Sequence, residues 1–268
     1  MCVSGSPTTL RRVSTTDPTI RGGPRRFDAV LCDIDGCLGP ESAAPVDAER
    51  LARLALHNRL ATERADRPVV TLCSGRPLPY AEAIARMIHN DALPVVCENG
   101  VWLWDPRDNA FLRDPAITAA HLEALIGAAA WIEGELGARG IVIQPGKSAS
   151  ISLWHADTGF LFSLIPMLER VFASNAWPFR VSTTVAWINI DLAHVSKATG
   201  LRRLIERTEL KKDRLAGVGD SVSDLVMLEH VSFFACPANA AAEVRAKAHY
   251  VSPLTEIEGV LDILERLG

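Results

Sequence analysis

From Phe27 onward, short apolar runs alternate with stretches whose apolar residues recur every three or four positions. This alternation constrains the fold more than any other feature of the chain. FDAVLC is followed by ERLARLALHNRLATER, PVVTLC by LPYAEAIARMIHN, and PVVCEN closes the series. The runs are apolar at nearly every position, as in strands covered on both faces. That pattern predicts an α/β fold, a Rossmann-like parallel sheet with helices on either side.

The pattern breaks in the middle of the chain. VWLWDPRDNAFLRD predicts two strands around a turn, and TAAHLEALIGAAAWIEGELGA predicts a helix. IVIQPGKSASISLWHA predicts a hairpin turning at Pro145-Gly146. A helix follows, with Pro166 inside it, and PFRVSTTVAWINIDLA predicts two more strands. The strand–helix pattern then returns from VSKATGL to the C-terminus. One α/β unit, residues 26–104 and 193–268, is therefore expected to be split by an inserted α+β cap, residues 105–192. Residues 1–25 are rich in Ser, Thr, Pro, Gly and Arg, with Asp17 as the one acid, and are expected to form a disordered tail.

Composition narrows the function. A net charge of −4 and a pI near 6.0 argue against nucleic acid as the main partner, and no apolar run is long enough for a bilayer. Six cysteines form no C-x-x-C pair, and four of them end apolar runs, as reduced core thiols of a cytoplasmic protein would. Nothing in the sequence fixes an oligomeric state.

In open parallel sheets, ligands bind at the carboxyl ends of the strands. The first strand ends in Asp33-Ile34-Asp35-Gly36, the second in Ser74-Gly75-Arg76 and the third in Glu98-Asn99-Gly100. After the insert, Lys197 opens a helix, and a later strand ends in Gly219-Asp220, with Asp224 following. Like charges gathered on one rim are stable only with a cation, and Asp33, Asp220 and Asp224 suit the hard cation Mg2+. Asp33 can then attack phosphorus as a carboxylate nucleophile, while Asp35 serves as acid and base. Gly36 eases the tight turn between them. Ser74 and Gly75 can bind the phosphoryl group, and Lys197 can neutralise the nucleophile and the equatorial oxygens. Taken singly these residues are ordinary turn, cap and surface residues. Their joint order at predicted strand ends and helix starts points to phosphoryl transfer.

Three further residues are candidates for substrate specificity. Arg76 either faces substrate or makes a structural ion pair. Asn99 can reach the site through its amide. Lys147, at the tip of the first cap hairpin, is either a solubilising turn residue or drops into the mouth to meet the distal end of a substrate. Period-2 alternation expects Ile151, Leu153, Ile188 and Ile190 to face the cap helices, leaving Ser150, Ser152, Trp154, Trp187, Asn189 and Asp191 on the open face.

At these residues the chain resembles the haloacid-dehalogenase-like hydrolase superfamily. DIDGCL is similar to its first motif, TLCSGRP to its second, SKATGL to its third and GDSVSDLVML to its fourth. ENG and ACPANA are similar to the Cof-type, sucrose-phosphate-phosphatase and archaeal-type phosphoglycolate-phosphatase branches. The resemblance implies a Mg2+-dependent phosphatase of a small phosphorylated metabolite, a sugar phosphate or a phosphoglycolate-like acid, acting through an aspartyl-phosphate on Asp33. It also implies that Asp35 contributes a backbone carbonyl to the metal beside Asp33, Asp220 and Asp224. Ser223 stands where the fourth motif often has Asn. The competing expectations are a sugar phosphomutase and, remotely, a phospho-receiver domain.

Overall fold

A computed structural model describes residues 25–267. The expected tail, residues 1–25, lies outside the described part except for Arg25. The main sheet holds β1 (Ala29–Cys32), β2 (Val69–Leu72), β10 (Leu215–Val218), β11 (Phe233–Cys236) and β12 (Tyr250–Val251). All are parallel, in the order β12-β11-β10-β1-β2. Alternate residues of β1 show why its whole run is apolar. Val30 and Cys32 join one buried cluster, with side chains of α1 (Ala48–Arg64), α2 (Leu78–Met87) and α8 (Glu256–Leu267). Ala29 and Leu31 join another, with side chains of α6 (Lys197–Thr208) and α7 (Ala242–Lys247). The five described cysteines, including Cys32 and Cys236, are buried and free.

The third expected strand, β3 (Val95–Cys97), pairs with the end of β2 through an isolated parallel Cys73–Val96 bridge. Its main partner is antiparallel β4 (Trp102–Asp105), which pairs in turn with β5 (Ala110–Arg113). The β4–β5 hairpin was expected to begin the insert at Asp105, but it packs with the core. Leu103 lies in the cluster of α6 and β10, Leu112 packs against it, and Trp104 lies in the cluster of α1 and α8.

The rest of the insert builds its own layer. β6 (Val142–Ile143), β7 (Ser150–Trp154), β8 (Phe179–Thr183) and β9 (Trp187–Leu192) form an antiparallel sheet in the order β6-β7-β9-β8. Its helices are α3 (Ala119–Leu136), α4 (Thr158–Ser163) and α5 (Ile165–Ser174). The last two share one expected helix, broken at Leu164 with Pro166 in the first turn of α5, where its missing N–H costs nothing. Ile151, Leu153, Ile188 and Ile190 are buried against these helices. The opposite sheet face, with Trp187, Asn189 and Asp191, turns towards the carboxyl ends of β1 and β10 and walls one cavity with them. Among the described residues, no helix is long and apolar enough to cross a membrane.

Candidate active site

Asp33 continues β1, and its N–H donates to Val218 O of β10 at 3.0 Å. One carboxylate oxygen, Oδ1, accepts from Ile34 N at 2.8 Å. The other accepts from Lys197 Nζ at 2.8 Å. Lys197 also reaches Asp224 Oδ1, at 2.6 Å. The lysine is the first residue of α6, held there by a reciprocal cap. Thr199 N donates to Ser196 Oγ, and Ser196 N donates to Thr199 Oγ1 at 3.0 Å. A cation at a helix N-terminus opposes the helix dipole, so Lys197 depends on the two aspartates. Burial works against its ammonium, yet Asp224 and Asp33 outweigh burial and hold it well above its ordinary range.

Asp220 completes the group. Gly36 permits its approach: φ is +71°, and a Cβ there would fall 2.0 Å from Asp220 Oδ2. Asp224 is fixed by its second oxygen, which accepts from Ser221 N at 3.0 Å and Ser221 Oγ at 2.9 Å. Asp33, Asp220 and Asp224 each place a carboxylate oxygen within 4.8 Å of the others. One lysine cannot balance three carboxylates. Burial, then the charge of Asp224, pushes Asp33 up to about 7 despite Lys197. Burial, then Asp224 and Asp33, pushes Asp220 up to about 8. This all-oxygen set, short of positive charge, fits a small hard dication.

Asp35 lies on the same wall, clamped by Arg76, whose Nε and Nη2 donate to its two oxygens at 2.5 to 3.0 Å. The Arg76 guanidinium also sits 4.8 Å from the centroid of the Tyr80 ring. Of the two readings left open for Arg76, the ion pair is present, and the residue still lines the cavity. Gly75 lines it as well. Ser74, expected to meet a phosphoryl oxygen, is fully buried, and its Oγ accepts from Arg76 N at 3.2 Å. Asn99 lines the cavity and donates to the Asp191 carboxylate at 3.3 Å.

Glu98, beside Asn99, takes part in a contact that its sequence position did not reveal. Its carboxylate is 1% exposed and accepts from Ser148 N at 2.8 Å, Ser148 Oγ at 2.9 Å, Ala149 N at 2.7 Å and Ser150 Oγ at 3.0 Å. All four donors belong to the cap hairpin that carries Lys147. Lys147 itself lines the cavity and donates to Ser152 Oγ at 2.6 Å, which donates to Asn189 Oδ1 at 2.5 Å. The cavity between rim and cap sheet measures about 370 Å3. Arg180 and Glu41 were not expected at it, whereas Asp191 lies on the sheet face that alternation leaves open. Arg180 lies 3.6 Å from Asp191, and Glu41 accepts from Val185 N at 3.3 Å across the two layers. Asn239 of the ACPANA segment donates to Gly36 O at 2.9 Å and so braces the turn after Asp35. Of the cap tryptophans, Trp187 lines the cavity, while Trp177 packs with Phe172 and Phe179.

A family described as haloacid dehalogenase-like hydrolase matches residues 169–264. A phosphoglycolate phosphatase of Methanothrix thermoacetophila is 38% identical over 37% of this chain, a match spanning 45% of that relative's length. A second, from Methanospirillum hungatei, is 25% identical over 88% of this chain and 94% of the relative. Among solved structures, a HAD/COF-like hydrolase from Plasmodium vivax superposes with a TM-score of 0.69. It covers 91% of this chain and 95% of its own at 17% identity, a likeness of fold. In its split parallel-sheet core and aspartate-lined rim, this chain is similar to the haloacid-dehalogenase-like hydrolases and has the fold of their Cof-like members.

Proposed function

We propose that the chain is a phosphatase of a small phosphorylated metabolite, with Asp33 as nucleophile and Asp35 as acid and base. The observation that carries this is the Lys197 ammonium bridging Asp33 and Asp224, with Asp35 on the same cavity wall. An Asp33 oxygen bonds to phosphorus as the ester P–O bond breaks, and Asp35 gives its proton to the departing oxygen. Asp35 then takes a proton from water. That water bonds to phosphorus, and the acyl-phosphate P–O bond breaks to free Asp33 and phosphate. Lys197 keeps the nucleophile oriented and balances charge on the phosphoryl oxygens. Arg76, which holds Asp35 in place, is near enough to bind the same group. Asp33, Asp220 and Asp224, with the Asp35 carbonyl, would hold Mg2+; when bound, it would neutralise charge on a phosphate oxygen.

The inserted α+β layer serves as a cap whose open face selects substrate. The named relatives act on phosphoglycolate, so a phosphoglycolate-like acid or a sugar phosphate is the substrate class. The deciding experiment is phosphate release from para-nitrophenyl phosphate with magnesium, comparing the wild type with Asp33→Asn. Turnover in the wild type and none in a folded Asp33→Asn protein is expected. Near-normal turnover in the variant would sink the nucleophile assignment. Release of inorganic phosphate without a bisphosphate activator separates hydrolysis from a phosphomutase.

A further inference from the structure

We infer that Lys147 forms a cap-side anion site, and that the substrate therefore carries a second negative group, a carboxylate, at the end remote from its phosphate. This rests on the phosphatase reading and narrows its substrate class.

Charge pairing around the cavity leads to this assignment. Four cations line it: Arg76, Lys147, Arg180 and Lys197. Three already face carboxylates. Arg76 holds Asp35, Arg180 lies 3.6 Å from Asp191, and Lys197 bridges Asp33 and Asp224. Lys147 is the fourth. Among the described residues it has no carboxylate within ion-pair distance, and its hydrogen-bond partner is the neutral Ser152 hydroxyl. An ammonium has three donors, so at least one is left for something in the cavity.

The position is also built rather than accidental. Gly146, in the left-handed region at φ +89°, turns the hairpin so that a Cβ there would lie 3.8 Å from Pro77, just past Arg76. Glu98 then fixes the next three residues through its four acceptor contacts. Removal from water lowers the Lys147 ammonium below its ordinary range, although Asp191 and Glu98 pull the other way. A lysine kept there costs desolvation with no ion pair to offset it, so an anionic ligand would supply the missing partner.

A carboxylate fits better than a second phosphate. Asp191, Asn189 and Asn99 share this wall, and the nearby Asp191 charge would oppose a dianion more than a monoanion. Sugar hydroxyls would satisfy Asp191 and Asn189 but leave the ammonium unmatched.

The test compares kcat/KM for phosphoglycolate with that for 2-hydroxyethyl phosphate, which replaces the carboxylate by a neutral alcohol of similar size. The wild type is expected to prefer the acid by ~10-fold or more, the worth of one partly desolvated charge-assisted contact. Lys147→Met keeps the apolar stem and removes the charge. It is expected to erase most of that ratio, chiefly by raising KM for the acid, and Lys147→Arg to restore part of it. Circular dichroism confirms that each variant is folded. Turnover without preference in the wild type, or a loss in Lys147→Met equal for both esters, overturns the anion site and leaves the phosphatase reading standing. No release from either ester or from para-nitrophenyl phosphate overturns both.

Discussion

Replacing Glu98 by alanine would leave four donors of the cap hairpin without their acceptor, two backbone N–H groups and two hydroxyls. Groups stranded away from water cost free energy individually, so Glu98→Ala is expected to destabilise the fold by about 3 kcal/mol, read as a lowered urea midpoint. A midpoint within error of the wild type would mean that the hairpin finds other acceptors. Glu98 itself has φ +50°, in the left-handed region, and Asn99 follows at +53°. Two such residues in succession aim one side chain at the cap and the next at the cavity. The sequence exposed Asp33, Asp35, Lys197, Asp220 and Asp224 because each lies at a strand end or helix start that periodicity locates. Glu98 also lies at a strand end, but its role stayed hidden because its partners lie 50 to 52 residues away and are ordinary serines and backbone. Arg180 likewise enters the cavity only because the cap sheet turns its face to the rim, while alternation had already put Asp191 on that face.

Among the elements, α6 ties the β4–β5 hairpin to the core. Its first residue is Lys197, its Arg203 donates to Gly100 O at 2.9 Å and Leu112 O at 2.6 Å, and its Arg207 pairs with Asp105 at the end of β4. Asp105 also accepts from Arg107 at 2.7 and 2.9 Å. Burial pushes the Asp105 carboxyl up, but Arg107 and Arg207 outweigh burial and hold it down to about 2. Because the folded value lies below the unfolded one, this stabilisation is full above about pH 4 and disappears as pH falls towards 2. Its size is at most about 2 kcal/mol, less in salt, since both arginines are partly exposed. Asp105→Asn is therefore expected to lower stability at pH 7 and to flatten the loss between pH 4 and pH 2, followed by urea titration at each pH. An unchanged slope would deny Asp105 that role. These ion pairs also explain the hairpin's placement. VWLWDPRDNAFLRD reads correctly as two strands, but its attachment to the core depends on contacts with α6, far away in sequence.

At the scale of the whole molecule, three carboxylates gathered near one lysine are the basis for proposing a bound cation. Exhaustive EDTA treatment is expected to abolish phosphate release and added magnesium to restore it, measured with para-nitrophenyl phosphate. Full activity in the treated protein would remove the metal from the proposal. The parallel core was legible because strands covered on two faces must be apolar along their whole length, as β1 and β2 are. Sheet order was not legible, since β3 leaves the main sheet after one bridge and spends its remaining edge on β4. The crossing point of the two layers has a further consequence. A Cβ on Gly200 would sit 2.8 Å from Gly100 Cα, and one on Gly100 would sit 2.3 Å from Ser196 O. Asp114 N, where the chain sets out, donates to Val101 O at 2.8 Å beside that junction. The outgoing and returning segments of the chain thus meet closely at one junction of the core. A cap lengthened away from that junction would leave the framework below unstretched, provided that the hairpin held by Glu98 keeps its serines.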